Sequence, residues 1–471
     1  MSVGRGLTSD QLSGFRTELR GAVLDPPDPE FNQRRVPFNA MYEDRPDLVV
    51  RPTGTADVAA AVRYAREHDL EVVVRGGGHS VGGLSTADGG MVIDLSTMHA
   101  VDVDPGVRLA RVQGGAVLGE LDRETQLFGL AVPVGVVSQT GVAGLPLGGG
   151  YGWLRRKHGL ACDSLVSAQV VCADGEVRTA SAEVNPDLFW AIRGGGGNFG
   201  VVTSFTFELH PVGPIVAFAG VFYPVEAAAE VLHGYRAYFT DARDEVTAEA
   251  LSITFPADPS LPESVHDRQC LVVGAVYAGA VEEGVAVLRP LRELAEPLAD
   301  ISQPMPFTAV QSAFDGLFPR GQIRAYWKAA YVATLEDDVI EIVARASAER
   351  PSPLTFVDTY AMGGAIARVG ADDTAFAERS APYMVSVHGN WSAANDDEAN
   401  IAWVRDVWAK VDALGVGSTY LNFSGADDAD PSRAAVGFGS NLERLARVKA
   451  QYDPENLFHR NNNIAPSGDG S

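Results

Sequence analysis

A chain of 471 residues is about three typical domain lengths, so two domains or one large one is expected. Its 46% hydrophobic and 21% charged residues exclude a wholly disordered polymer. With 61 acidic against 37 basic residues the formal charge is −24, a sign that repels phosphate backbones and anionic lipid, so neither nucleic acid nor membrane is an expected partner.

Three cysteines, Cys162, Cys172 and Cys270, cannot build a disulfide framework and fit a reducing compartment. Met1 to Arg20 carries no apolar stretch of signal-peptide length. The longest apolar run, Cys270 to Val281, is too short to span a bilayer. A soluble, cytoplasmic protein is expected.

Taken in order, Thr55 can cap a helix whose apolar face carries Val58, Ala61, Val62 and Ala65. A strand over Glu71–Val74 then runs into Arg75-Gly76-Gly77-Gly78-His79-Ser80. A second strand, Met91 to Leu95, precedes a hairpin: Val101 to Val103, a Pro105-Gly106 turn, and Leu109 to Val112. Val117, Leu118, Leu121 and Phe128 mark another amphipathic helix. Leu165 to Val171 and Val177 to Thr179 flank Asp174-Gly175 as a further hairpin, and Val201 to Leu209 is a closing strand. Beyond Pro211 longer strands are expected (Ile215–Tyr223, Cys270–Tyr277, Ile323–Tyr331, Leu354–Met362), with helices between them. Thr334 with Asp337, and Ser440 with Glu443, resemble capping boxes, and Asn395 starts a helix carrying Val404, Val407 and Val411.

Glycine is the unusual residue, 50 in all, and it clusters before residue 211. One cluster is Gly76 to Gly78 followed by Gly82-Gly83. Another runs from Gly141 through Gly144 to Gly148-Gly149-Gly150-Tyr151-Gly152, and a third is Gly194 to Gly197 with Gly200. Such runs serve as tight turns, or let backbone N–H groups converge on an anion such as a phosphate. No Walker A pattern occurs, and no strand is followed by a clean dinucleotide-binding fingerprint. What remains is a glycine-built cradle with His79 in its rim, either a polar loop residue or a nucleophile.

Arg75-Gly-Gly-Gly-His79-Ser80 resembles the pyrophosphate loop of the berberine-bridge-enzyme-like flavoproteins, within the vanillyl-alcohol-oxidase and para-cresol-methylhydroxylase (PCMH) superfamily. The segment from Gly141 to Asp163 resembles that family's second flavin-binding stretch, and Asn185 to Val202 the third. Tyr452-Asp-Pro-Glu-Asn-Leu-Phe458, then Asn461 to Ile464, is similar to its C-terminal signature. The resemblance implies an α+β, two-domain PCMH-type FAD-binding fold with an antiparallel-sheet substrate domain. It places an FAD-binding domain at 1–211 (core 42–211), a substrate-binding domain at 212–411, and a segment at 412–471 returning to the FAD domain, its berberine-bridge-like motif at 419–466.

The resemblance also assigns residues. FAD is implied as cofactor, joined through its 8α carbon to His79; a neutral imidazole is a competent nucleophile for that bond. The position that carries a second, cysteinyl link in many members falls on Val137, so a single link is expected, with no bond to Cys162. Cofactor contacts are expected from Arg75, Gly76, Gly77, Gly78, His79, Ser80, Gly82, Gln139, Thr140, Gly141, Gly144, Gly149, Gly150 and Gly152. Further contacts are expected from Cys162, Asp163, Gly197, Gly200, Val201, Val202, Tyr420, Asn422, Asn461 and Asn463. No metal is expected.

Thr140 occupies the place that gates oxygen in related proteins. A polyketide-tailoring, oxygenating relative also has threonine there, although a plain turn residue before Gly141 is the alternative. Thr419-Tyr420-Leu-Asn422-Phe resembles the family's stretch that returns to the flavin. Tyr420 is therefore the first candidate base, with Arg324 and Lys328 as the cations that would lower its pKa. A buried strand aromatic is the alternative for Tyr420, and Asp358 is the rival base. Tyr151, Trp153 and Tyr360 are expected to wall the substrate pocket. The expected activity is an FAD-linked oxidase acting on a small-molecule alcohol, amine or activated carbon with O₂ as acceptor, a role suited to secondary metabolism. The alternatives are a flavin-dependent oxygenase or oxidative cyclase acting on a polyketide-like product, and a non-catalytic flavin-binding protein.

Overall fold

The computed structural model describes residues 9–257, 259, 261–425 and 431–468. Residues 426–430 and 469–471 of the expected returning segment lie outside them. Among the described residues the first half builds two principal sheets. In one, Leu48–Arg51 and Val72–Arg75 flank Met91–Asp94 in parallel, with Ala22–Leu24 antiparallel at the edge. The helix Thr55–Glu67 connects two of these parallel strands and buries Val58, Ala61, Val62 and Ala65. The other sheet is antiparallel and contains both expected hairpins, Val101–Asp104 with Leu109–Gln113 and Leu165–Val171 with Val177–Ser181, joined through Val201–Glu208.

The second half is an eight-stranded antiparallel sheet. Its order is Ala299–Asp300, Ile215–Pro224, Gln269–Tyr277, Val246–Thr254, Phe356–Ala361, Tyr383–Trp391 and Arg324–Val332, with Gln303–Pro306 also pairing with Ile215–Pro224. Two of its central strands, Val246–Thr254 and Tyr383–Trp391, are absent from the expectations above. Because strand side chains alternate between faces, the sheet separates two environments. Ala248, Ala250, Val357, Val385, Val387 and Ala330 face the helices Ala228–Phe239, Asp337–Ala348 and Asp397–Asp412. Glu249, Leu251, Phe356, Asp358, Tyr360, His388 and Trp327 face the first half.

The last helix, Leu442–Tyr452, returns to the first half. Its Leu445, Val448 and Tyr452 share one apolar cluster with Phe205, Phe207 and Leu118, each such burial contributing about 1.5–3 kcal/mol. The buried Lys449 ammonium fastens the chain end, donating to Asp453 at 2.6 Å and to the carbonyls of Asn198 and Phe458 at 2.8 and 3.0 Å. Asn39 joins the two halves: its fully buried amide donates to the carbonyls of Val81 and Ala325, both at 2.7 Å.

The expected helix caps are not the ones used. Thr334 donates to the Glu336 carboxylate, and the helix Asp337–Ala348 starts without a side-chain cap. Leu442–Tyr452 starts after Asn441, also without one. Thr55 is spent on Gln169. In each case packing of the apolar face suffices to place the helix start.

Candidate active site

One cavity of about 320 Å³ lies between the first half and the face of the large sheet that its helices leave uncovered. Its upper wall is backbone. The strand Val72–Arg75 delivers Gly76, Gly77, Gly78, His79 and Ser80 to it, and Thr140, Gly141 and Gly144 come alongside. Gly77 and Gly141 cross so closely that a Cβ on either would collide with the backbone nitrogen of the other. That contact explains glycine in both clusters. A Cβ on Gly144 or Gly197 would meet nothing within 4 Å; both residues open onto the cavity. Gly200, Val202, Asn422 and Asn461 complete this side.

His79 stacks on Phe38 with ring centroids 4.1 Å apart. Its Nε2 is buried without a hydrogen-bond partner, and burial pushes the imidazole down to about 4, so it is neutral. A glycine cradle open at Gly144 and Gly197, with an orphaned neutral imidazole at its rim, fits FAD. Arg460, not foreseen, also lines the cradle, and the Arg320 guanidinium lies against Gly78. Both bring positive charge to the cradle, and their distance in sequence from the glycine motifs hid them.

Ten of the expected cofactor contacts lie outside the cavity wall. Arg75 turns away, its guanidinium held by the carbonyls of Arg34, Arg35 and Ser85; it shapes the loop from behind. Gly82 packs against the Ser424 carbonyl, and Gln139 is exposed. Gly149 and Gly150, with φ of 103° and 79°, make a left-handed turn that glycine adopts freely. Gly152 sits against the Val134 carbonyl. Cys162 is fully buried among Leu160, Tyr331 and Tyr420, and burial pushes its thiol well up. Asp163 takes both arms of Arg379 at 3.0 and 2.7 Å. Val201 belongs to a core cluster, and Asn463 is likewise off the wall.

The opposite wall is made of side chains. Tyr151, Tyr360, Asp358 and Tyr420 reach it as expected, and Trp153 does not: it lies one layer behind, over Gly274 and 6.2 Å from the Phe314 ring. Arg324 and Lys328 are also displaced. On the strand Arg324–Val332 they share parity with Tyr326 and point to the helix side of the sheet. Arg324 pairs there with Asp397 at 2.6 Å, and Lys328 lies 4.3 Å from the Trp408 ring centroid. Trp327 takes the cavity side instead. Neither cation can assist Tyr420, whose hydroxyl accepts from Asn422 at 2.9 Å and is pushed up by burial.

The residues missed are Glu249, Phe318, Phe356, His388 and Phe423. The rings of Trp327 and Phe423 meet edge-on at 5.4 Å, and His388 stacks on Phe356 at 4.3 Å. Glu249 and Asp358 are 1% and 3% exposed. Burial pushes Asp358 up to about 7, moderated by its hydrogen bond with Tyr360 and by Arg155. Burial and then the Asp358 charge push Glu249 well above the usual carboxyl range. The available signal was a lone carboxylate inside the apolar run Val246 to Ile253. Among the described residues no group of three or more acidic, cysteine or histidine side chains could hold a metal, and no helix is long and apolar enough to cross a membrane.

Residues 46–181 match the family model described as FAD binding domain, and 419–465 match the model described as Berberine and berberine like. The FAD-linked oxidoreductase YgaK of Bacillus subtilis is 31% identical over 457 residues, covering 96% of this chain and 98% of its own. The (R)-6-hydroxynicotine oxidase of Paenarthrobacter nicotinovorans is 31% identical over 463 residues, covering 96% and 98%. Among solved structures, BBE-like 1 of Physcomitrella patens superposes with a TM-score of 0.86 at 25% identity, covering 98% of this chain and 100% of that one.

Proposed function

The chain belongs to the FAD-linked oxidoreductases of the berberine-bridge-like family, with their PCMH-type two-domain α+β fold, and on that premise we propose that it is an oxidase of a small-molecule alcohol, amine or activated carbon, using O₂ as acceptor. The FAD domain comprises 1–211 with the returning segment 412–471, and 212–411 form the substrate domain. The observation that carries the reading is the single cavity joining the His79 cradle to the carboxyl and tyrosyl wall.

FAD held by the glycine cradle and His79 would supply a hydride acceptor for the substrate and a route for the electron pair to oxygen, with hydrogen peroxide as the product. His79 is its single covalent attachment, favoured by the unpartnered, neutral imidazole; Val137 and Cys162 take no part. Asp358, pushed up to about 7, suits acceptance of the substrate's O–H or N–H proton near neutral pH. Tyr420, held by Asn422 and without a cation to lower it, acts as a hydrogen-bonding partner that orients the reacting heteroatom. Thr140 lines the cavity beside Gly141 and leaves room for oxygen.

Acid precipitation followed by peptide mapping tests the cofactor. Yellow colour should stay with the pellet and map to His79, whereas colour lost to the supernatant overturns the covalent link. Peroxide release from a substrate panel tests the oxidase, and oxygen-isotope labelling of the product separates it from an oxygenase. If no substrate bleaches the flavin anaerobically, the protein is a flavin carrier.

A further inference from the structure

The cavity floor carries one more carboxyl group than proton acceptance requires. Neither oxygen of Glu249 has a hydrogen-bond partner among the described residues, and Asp358 Oδ1 is likewise unpartnered. Sheet register sets the two side by side: Glu249 is opposite Tyr360, and Leu251 is opposite Asp358 on the same face. The local cation spends its N–H groups on backbone carbonyls. Arg155 donates to the carbonyls of Gly152, Ala248 and Ala361 at 3.1, 2.7 and 2.9 Å, and lies over the rings of Tyr151 and Tyr360 at 5.7 and 5.4 Å. Its charge acts on both carboxyls, but burial outweighs it at each. His388, the other basic group on this wall, is pushed down by burial to about 3 and stays neutral.

Buried carboxylates are costly unless a cation and N–H donors meet them. Glu249 receives no donor and feels Arg155 only through space, while Asp358 is bonded by Tyr360 and the Thr359 backbone with its Oδ1 left over. Aromatic side chains line the site, and such rings attract cations through the ring quadrupole. We propose that Glu249, with Asp358, binds the protonated nitrogen of an amine substrate whose apolar body lies against Trp327, Phe356 and Phe423. The proposal rests on the oxidase reading and narrows its substrate class to cationic amines; Glu249 is then the residue that selects charge, while Asp358 also faces the reacting bond.

The test is calorimetric titration of the flavin-bearing protein with benzyltrimethylammonium, whose charge does not depend on pH, and with neopentylbenzene, its uncharged isostere. The ammonium should bind the wild type at least about tenfold more tightly than the isostere. Glu249→Gln should weaken the ammonium roughly 10- to 100-fold and leave the isostere unchanged. Asp358→Asn serves as a second variant if the first does not fold, and should also erode the preference for charge. Equal affinity of the wild type for both probes, or undiminished ammonium binding by the folded variants, overturns the proposal. Flavin absorbance of the same samples reports on the oxidase reading separately: protein without flavin fails that reading, and flavin-bearing protein indifferent to probe charge fails this one.

Discussion

The two walls of the cavity are built by opposite means. The cradle side is backbone: Gly76 to Gly78, Gly141, Gly144 and Gly197 present N–H groups and empty Cβ positions, and its residues sit in short contiguous runs. The sheet side is side chain: Glu249, Asp358, Tyr360, His388 and Trp327 come one or two at a time from strands far apart in the chain. The backbone wall tolerates little change at Gly77 and Gly141, where a Cβ would meet main chain, and at Gly144 and Gly197 a Cβ would project toward the cavity. A side-chain wall can be altered residue by residue while the sheet beneath it stays intact. An invariant cofactor suits the first construction, and a variable substrate suits the second.

The largest expected effect tests the chemistry of the side-chain wall. Asp358→Asn should lower kcat roughly 10²- to 10⁴-fold in steady-state peroxide assays while covalent flavin is retained; an unchanged kcat would move the base to Tyr420. Next, Gly77→Ala should cost about 1–3 kcal/mol by forcing its crossing with Gly141 apart. It should be read as reduced flavin content and a lower Tm; full flavin loading would show that the backbone wall yields.

A smaller effect separates the walls by pH. Because folding raises the titration of Asp358 to about 7 and that of Glu249 well above its usual range, the pair's contribution to stability is complete in acid and is lost as pH rises toward neutrality. Glu249→Gln removes part of that loss. The variant should gain roughly 1–2 kcal/mol over wild type near pH 8 and less near pH 5, measured by thermal unfolding at both. A gain confined to acid would reverse the sign and the assignment. The smallest effect lies behind the sheet: Arg324→Ala breaks a partly exposed ion pair worth about 1 kcal/mol or less. It should leave kcat and KM within about twofold, since Arg324 faces Asp397 and the helices.

This contrast also explains which parts were legible in advance. His79 and the glycines around it announce themselves because their function depends on neighbours adjacent in sequence. Arg75, Cys162 and Asp163 sit inside the same motifs, yet they support the loops from behind, a distinction that a linear pattern does not carry. A place on a substrate-domain strand makes Arg324 and Lys328 look like pocket cations. Parity along that strand sends them to the other face and brings Trp327 forward. Beyond its lone charge, Glu249 carries no local signal because Val246–Thr254 does not alternate cleanly between apolar and polar residues, and its chemical interest arises only from register with the Tyr360 strand.

The sequence by itself determined the cofactor class, the family and most elements of the first half, because glycine runs and strand-to-loop junctions are local and each encodes its own geometry. Only the tertiary structure decided which side chains share the cavity. That choice depends on strand pairing across more than a hundred residues, as between Glu249 and Tyr360, and on which face of the sheet the helices cover. Burial then does what no local pattern can express: it turns two ordinary acids into an unsatisfied pair and leaves a histidine neutral.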